Sequence, residues 1–112
     1  MPAPLPENIE SFRKQYPAVW EAFAALGEKC HESGPLDAKT RRLVKLALAI
    51  GHRHEGAVHS AVRGAKAAGI SADEMLHVAL LAITTIGWPN AYAAMTWIED
   101  AAERPAQDSG PE

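Results

Sequence analysis

A second cysteine is missing from this chain. Cys30 stands alone among 112 residues, which excludes an intrachain disulfide and any Cys-x-x-Cys redox pair. A lone thiol suits a reducing compartment, and the expected location is the cytoplasm. Aromatic residues are scarce at 6%, although 47% of the chain is hydrophobic and much of that share is alanine. Ala-rich helices pack closely but each buries little area. A chain this short makes only a modest core, so further burial between copies is expected. Excess positive charge is absent. The formal net charge of −3 leaves no electropositive footprint for nucleic acid. Long apolar runs are absent too. The longest, Val78 to Gly87, is too short to span a bilayer and contains Thr84 and Thr85, so no membrane partner is expected. The opening MPAPLPENIE has neither a basic n-region nor an apolar h-region, so no secretory leader is expected. Alternating β-branched runs are also lacking, which leaves helices as the elements to assign.

The pattern that remains is a single all-α domain of about six helices. Residues 1–6, with Pro2, Pro4 and Pro6, read as a flexible N-terminal arm, 7–104 as the helical domain and 105–112 as a disordered tail. A short helix covers about Glu7 to Gln15. Pro17 opens a second, with Val19, Phe23 and Leu26 on one face, and Gly34-Pro35 ends it. Asp37 caps a third, whose stripe is Leu43, Leu46, Ala47 and Ile50, and Gly51 reads as a break. The fourth is expected from about Arg53 to Ala68, ending at Gly69. Ser71 and Glu74 form a capping box for the fifth, to about Ile86. That helix is apolar nearly all round (Met75, Leu76, Val78, Ala79, Leu80, Leu81, Ile83), which predicts burial on several sides. Gly87-Trp88-Pro89 is a turn, and the sixth helix ends near Glu103.

Chemistry concentrates in LALAIGHRHEGAVHSAVRGAKAAG, Leu46 to Gly69, which holds three of the five histidines. Glu55 and His59 are four residues apart, hence neighbours on a helix. A carboxylate beside an imidazole orients the ring, favours its protonated form and provides a general acid or base. The ordinary alternative is a surface pair that contributes a few tenths of a kcal/mol. His52, His54 and His59 are the candidate metal ligands. His54 and His59 are five apart, one residue too many for the His-Glu-x-x-His zinc spacing. His52 and His59 are seven apart, which is about 10 Å of helical rise. No metal is therefore assigned. Arg53, with Lys45 and Arg63 as weaker candidates, is the expected partner for an anionic substrate. Trp88 and Tyr92 follow the Gly87 turn, where they either line a pocket or pack in a core or contact. His31 and His77 read as surface residues, Cys30 as a small buried one, and Thr84 and Thr85 as bonded back to the preceding turn.

The pieces TRRLVKLALAIGHRHEGAVHSAVRGAKAAG, SADEM and GWPNAYAA together resemble the carboxymuconolactone decarboxylase family, which includes the AhpD-like alkylhydroperoxidases. The resemblance implies an all-helical domain assembled as dimers, trimers or hexamers. Redox members carry Cys-Glu-Gly-Cys followed four residues later by His. Glu55-Gly56 falls on that Glu-Gly, which places His54 and Ala57 at the cysteine positions and Ala61 at the histidine position. An acidic residue on the preceding helix also serves those members. Here that stretch holds Lys39, Arg41, Arg42 and Lys45. The resemblance thus implies the branch without a dithiol, which performs acid/base chemistry on a small organic acid or lactone. Glu55, His59 and His54 are the candidate catalytic residues, Arg53 and Trp88 the candidate substrate-binding residues, and no cofactor is called for. The alternatives are an AhpD-like peroxidase and a non-catalytic helical oligomer that binds a small ligand or a protein partner.

Overall fold

The structure, a computed structural model, describes residues 6–103. The proposed tail, and the proposed arm apart from Pro6, lie outside them. Pro6 is buried and directly precedes the first helix. Six α-helices follow, with no strand among the described residues.

Local chemistry sets most helix ends. In α1 (Glu7–Gln15), Glu7 and Glu10 occupy the first turn and Arg13 and Lys14 the last, which complements the helix dipole. Pro17 starts α2 (Pro17–Glu32), where its missing N–H would have been unpaired anyway. Asp37 caps α3 (Ala38–His52) by accepting the Thr40 N–H at 2.8 Å. At the other end of α4 (Glu55–Ala67), Gly69 adopts φ 83°. The Gly69 N–H bonds to the Lys66 carbonyl and the Ile70 N–H to the Ala65 carbonyl, the two bonds of a Schellman motif. The Ser71–Glu74 capping box starts α5 (Ala72–Ile86), and α6 (Trp88–Glu103) follows Gly87 directly.

The expected break at Gly51 does not occur. Helix α3 runs through it to His52, and the chain turns two residues later. Arg53 takes the left-handed conformation (φ 59°, ψ 38°), with its N–H bonded to the Ile50 carbonyl. His54 is extended, and α4 begins at Glu55 rather than at Arg53. A residue with a side chain thus fills the position that glycine usually takes after a helix.

Helices α3 to α6 form the core, with α3 against α4 and α5, and α6 against α4 and α5. Leu46, Ile50, Val58, Val62, Met75 and Ile98 are its large buried side chains, and Ala65, Ala79, Ala94 and Ala101 line the close approaches. Helices α1 and α2 pack on each other, and α2 buries no residue of its own. Its Val19–Phe23–Leu26 stripe is therefore real but uncovered, with Phe23 65% exposed. The all-round apolar α5 is likewise covered on one side only. Met75 and Ala79 are buried, whereas Leu80 and Leu81 are exposed. An open groove of about 400 Å³ between α3 and α5 is lined by Leu43, Val44, Ala47, Val78 and Leu81, with Thr40, Glu74 and His77 at its edge. No helix among the described residues is long and apolar enough to cross a membrane.

Candidate functional site

Two interhelical junctions meet at one end of the core. The Arg53 guanidinium at the α3–α4 junction donates from Nη1 to Asn90 Oδ1 at 3.2 Å. Asn90, in the first turn of α6, donates from Nδ2 to the Ile86 carbonyl at 2.9 Å. The N-termini of α4 and α6 consequently lie on either side of Arg53. Each presents the positive end of a helix dipole. Trp88 opens α6 and is 57% exposed. Its ring packs on Tyr92 with centroids 4.6 Å apart, tilted 33°. A guanidinium and an aromatic pair thus flank the start of α6.

Glu55 and His59 face each other one turn apart at the start of α4. Glu55 Oε2 lies 3.6 Å from His59 Nε2, an ion-pair distance that is longer than a hydrogen bond. Their exposure differs sharply. The Glu55 side chain is 56% exposed and the His59 side chain 3%. His59 sits between Val58 and Val62, both fully buried, so this is not a pair of solvated surface residues. Glu55 is the member of the pair that solvent reaches.

His54 is placed by a structural duty. Its Nδ1 accepts the Ala57 N–H at 3.0 Å, an N-cap made by an imidazole in place of the usual hydroxyl or carboxylate. A nitrogen that accepts carries no proton, so neutral His54 has its hydrogen on Nε2. Gly56 leaves room for this ring, because a Cβ there would lie 3.2 Å from His54 Cε1. The His52 ring runs parallel to that of His54 at 6.2 Å, and both residues are exposed. His59 is buried apart from them, and no three His, Cys, Asp or Glu side chains gather in a metal-binding group among the described residues.

The other candidates disperse. Lys45 lies beside His31, with Nζ 3.4 Å from Nε2, and so does not join Arg53. Arg63 is half-buried farther along α4. Cys30 is exposed, not the small buried residue its surroundings suggested, because α2 touches its neighbours without burying any of its own residues. His31 is half-buried and His77 exposed. Thr84 and Thr85 both donate to the Leu81 carbonyl, as expected. Asn90 is the site residue that sequence reasoning missed. Its one local sign was a polar side chain in the first turn of a helix, and its partner is 37 residues away.

Comparison with known proteins adds a family. A family model described as carboxymuconolactone decarboxylase matches residues 17–100. A protein of Haemophilus influenzae (strain ATCC 51907 / DSM 11121 / KW20 / Rd), described as uncharacterized, is 47% identical over 45 residues, or 40% of each chain. The matched segment thus spans about two fifths of that relative's length. No solved structure matches.

Proposed function

The chain belongs to the carboxymuconolactone decarboxylase family, and we propose that it performs proton-transfer chemistry, of decarboxylase, lyase or isomerase type, on a small organic acid or lactone. One observation carries this reading: an exposed carboxylate, Glu55, stands 3.6 Å from a buried imidazole, His59. Glu55 is the catalytic acid/base, because it is the member of the pair that a substrate can touch. His59 is the positioning residue that shares its proton. When the bond to a departing CO2 breaks, its electron pair stays on carbon, and the proton held by the pair completes that carbon's valence. Arg53, flanked by the N-termini of α4 and α6, binds the substrate carboxylate. The Trp88–Tyr92 rings give its carbon skeleton an apolar wall. His54 can offer Nε2–H to a substrate oxygen, since its Nδ1 is occupied by the cap.

This chemistry calls for no metal and no cofactor. A thiol peroxidase of the family would need a dithiol, and the chain has Cys30 alone. Self-assembly belongs to the same proposal. The uncovered stripe on α2 and the exposed Leu48, Leu80 and Leu81 are side chains that copies of the chain would cover, and the proposed setting is the cytoplasm. The test is CO2 release from carboxymuconolactone by the wild type, Glu55→Gln, His59→Gln and the double variant. Each single change should remove most of the activity and the double change little more, since residues acting as one unit are not additive. Wild-type rates in Glu55→Gln would overturn the reading. So would strong peroxide reduction that disappears in Cys30→Ser.

A further inference from the structure

A group of cations gathers at the corner between α2 and α3, away from Glu55 and His59. Lys39, Arg41, Arg42 and Lys45 give α3 four cationic side chains and no carboxylate. Arg41 and Lys45 are four apart and Arg42 and Lys45 three apart, so they share a face as like charges, which costs each pair a few tenths of a kcal/mol. They also crowd the N-terminal half of the helix, where cations oppose the dipole. Local chemistry therefore argues against this arrangement, in a chain whose net charge is negative.

The side chains are held in place with little neutralisation. Lys45 Nζ is 3.4 Å from His31 Nε2 on α2. Arg41 donates to the Leu36 carbonyl at 2.6 Å, a contact that brings no negative charge. The Arg42 guanidinium lies across α4 where Gly64 has no side chain, and a Cβ there would meet Nη1 at 2.6 Å. Lys39 alone of the four makes an ion pair among the described residues, with Glu74. Asp37, the carboxylate that feels Arg41 and Lys39, is committed to capping α3. On α2, Glu32 pairs with Lys29. The charges that act on the His31 ring are Lys45, Arg42 and Arg41. Together with partial desolvation, which is the largest cause, they hold the imidazole below its ordinary range.

We propose that His31, Arg41, Arg42 and Lys45 form a second site, which takes a small multivalent oxyanion such as phosphate or a dicarboxylate. The site is independent of the reading of Glu55 and His59. An anion seated among these groups replaces repulsion with attraction. It also favours imidazolium at His31, so binding is coupled to uptake of a proton there.

The test follows the ring resonances of His31 in the full chain across a pH series. Inorganic phosphate and succinate are titrated separately against sodium chloride of equal ionic strength. Saturable shifts and an upward move of the His31 midpoint are expected with at least one of the two anions, with His59 unmoved. The tighter of the two tells a tetrahedral oxyanion from a dicarboxylate. The Arg42→Gln/Lys45→Gln variant should bind about tenfold more weakly or worse, the loss of at least one charge-assisted hydrogen bond. Equal effects of chloride would reduce the site to screening and overturn the proposal. Unchanged affinity in the variant would do the same. If phosphate lowers the mass of an assembly, the cations pair across copies, which also overturns it.

Discussion

Replacing Arg53 separates backbone strain from side-chain function at one position. Arg53 holds φ 59° and ψ 38° and is the single non-glycine residue with positive φ among the described residues. That conformation costs a residue with a Cβ about 1–2 kcal/mol relative to glycine. Glycine gives back about 0.4–1 kcal/mol through its larger unfolded-state entropy. Both Arg53→Ala and Arg53→Gly lose the bond to Asn90, worth about 0.5–1.5 kcal/mol at a typical site. The alanine variant, which keeps the strain, should therefore be about 1 kcal/mol less stable than wild type. The glycine variant should lie within about 0.5 kcal/mol of wild type, because relief of strain offsets the lost bond. For a domain of this size the two variants should melt about 3–6 °C apart, glycine the higher. Thermal unfolding followed by circular dichroism reads this directly. Both variants should lose recognition of an anionic substrate alike, since neither keeps the guanidinium. A glycine variant no more stable than the alanine one would refute the left-handed turn at residue 53, and with it the geometry that aims Arg53 at Asn90.

Other consequences are as direct. Asp37 and Glu74 both titrate below the usual carboxylate range. The Thr40 N–H is the chief cause for Asp37, and Lys39 followed by the Ser71 N–H for Glu74. A depressed folded-state value gives stability that is fully present above the unfolded pKa and lost as pH falls through the folded one. Melting temperature should therefore drop from about pH 4.5 downward. In Asp37→Asn, which keeps a capping oxygen, the drop should be shallower; an identical acid profile would remove Asp37 from the account. Paired Phe23→Glu and Leu26→Glu changes should leave helicity intact, because α2 buries nothing. They should lower the light-scattering mass from an assembly to a single chain. A wild-type chain that is already a folded monomer at micromolar concentration would contradict the proposed assembly.

What could be read from the sequence was local. Pro17, Asp37, the Ser71–Glu74 box and Gly69 act within a turn of their own positions, and each marks a helix end that the structure contains. The α3–α4 junction was misplaced because glycine at 51 is the residue that usually breaks a helix, while the chain turns at an arginine instead. Within a single chain Cys30 and one side of α5 are exposed, because helical periodicity shows that a face is apolar but not what covers it. The i, i+4 spacing brought Glu55 and His59 together, yet the contrast in burial between them depends on α4 packing into the core. The Arg53–Asn90 contact joins residues 37 apart, beyond any local signal.

The central claim is that Glu55 and His59 share a proton, and the titration of His59 tests it most directly. The His59 ring resonances of wild type and Glu55→Gln are followed by NMR from acid to alkaline pH. Glutamine keeps the shape of the side chain and removes its charge. The imidazolium loses the carboxylate 3.6 Å away, so His59 should deprotonate at lower pH in the variant than in the wild type. Superimposable curves would mean that the carboxylate and the imidazole do not act on each other, and the proton-transfer reading would fall with them.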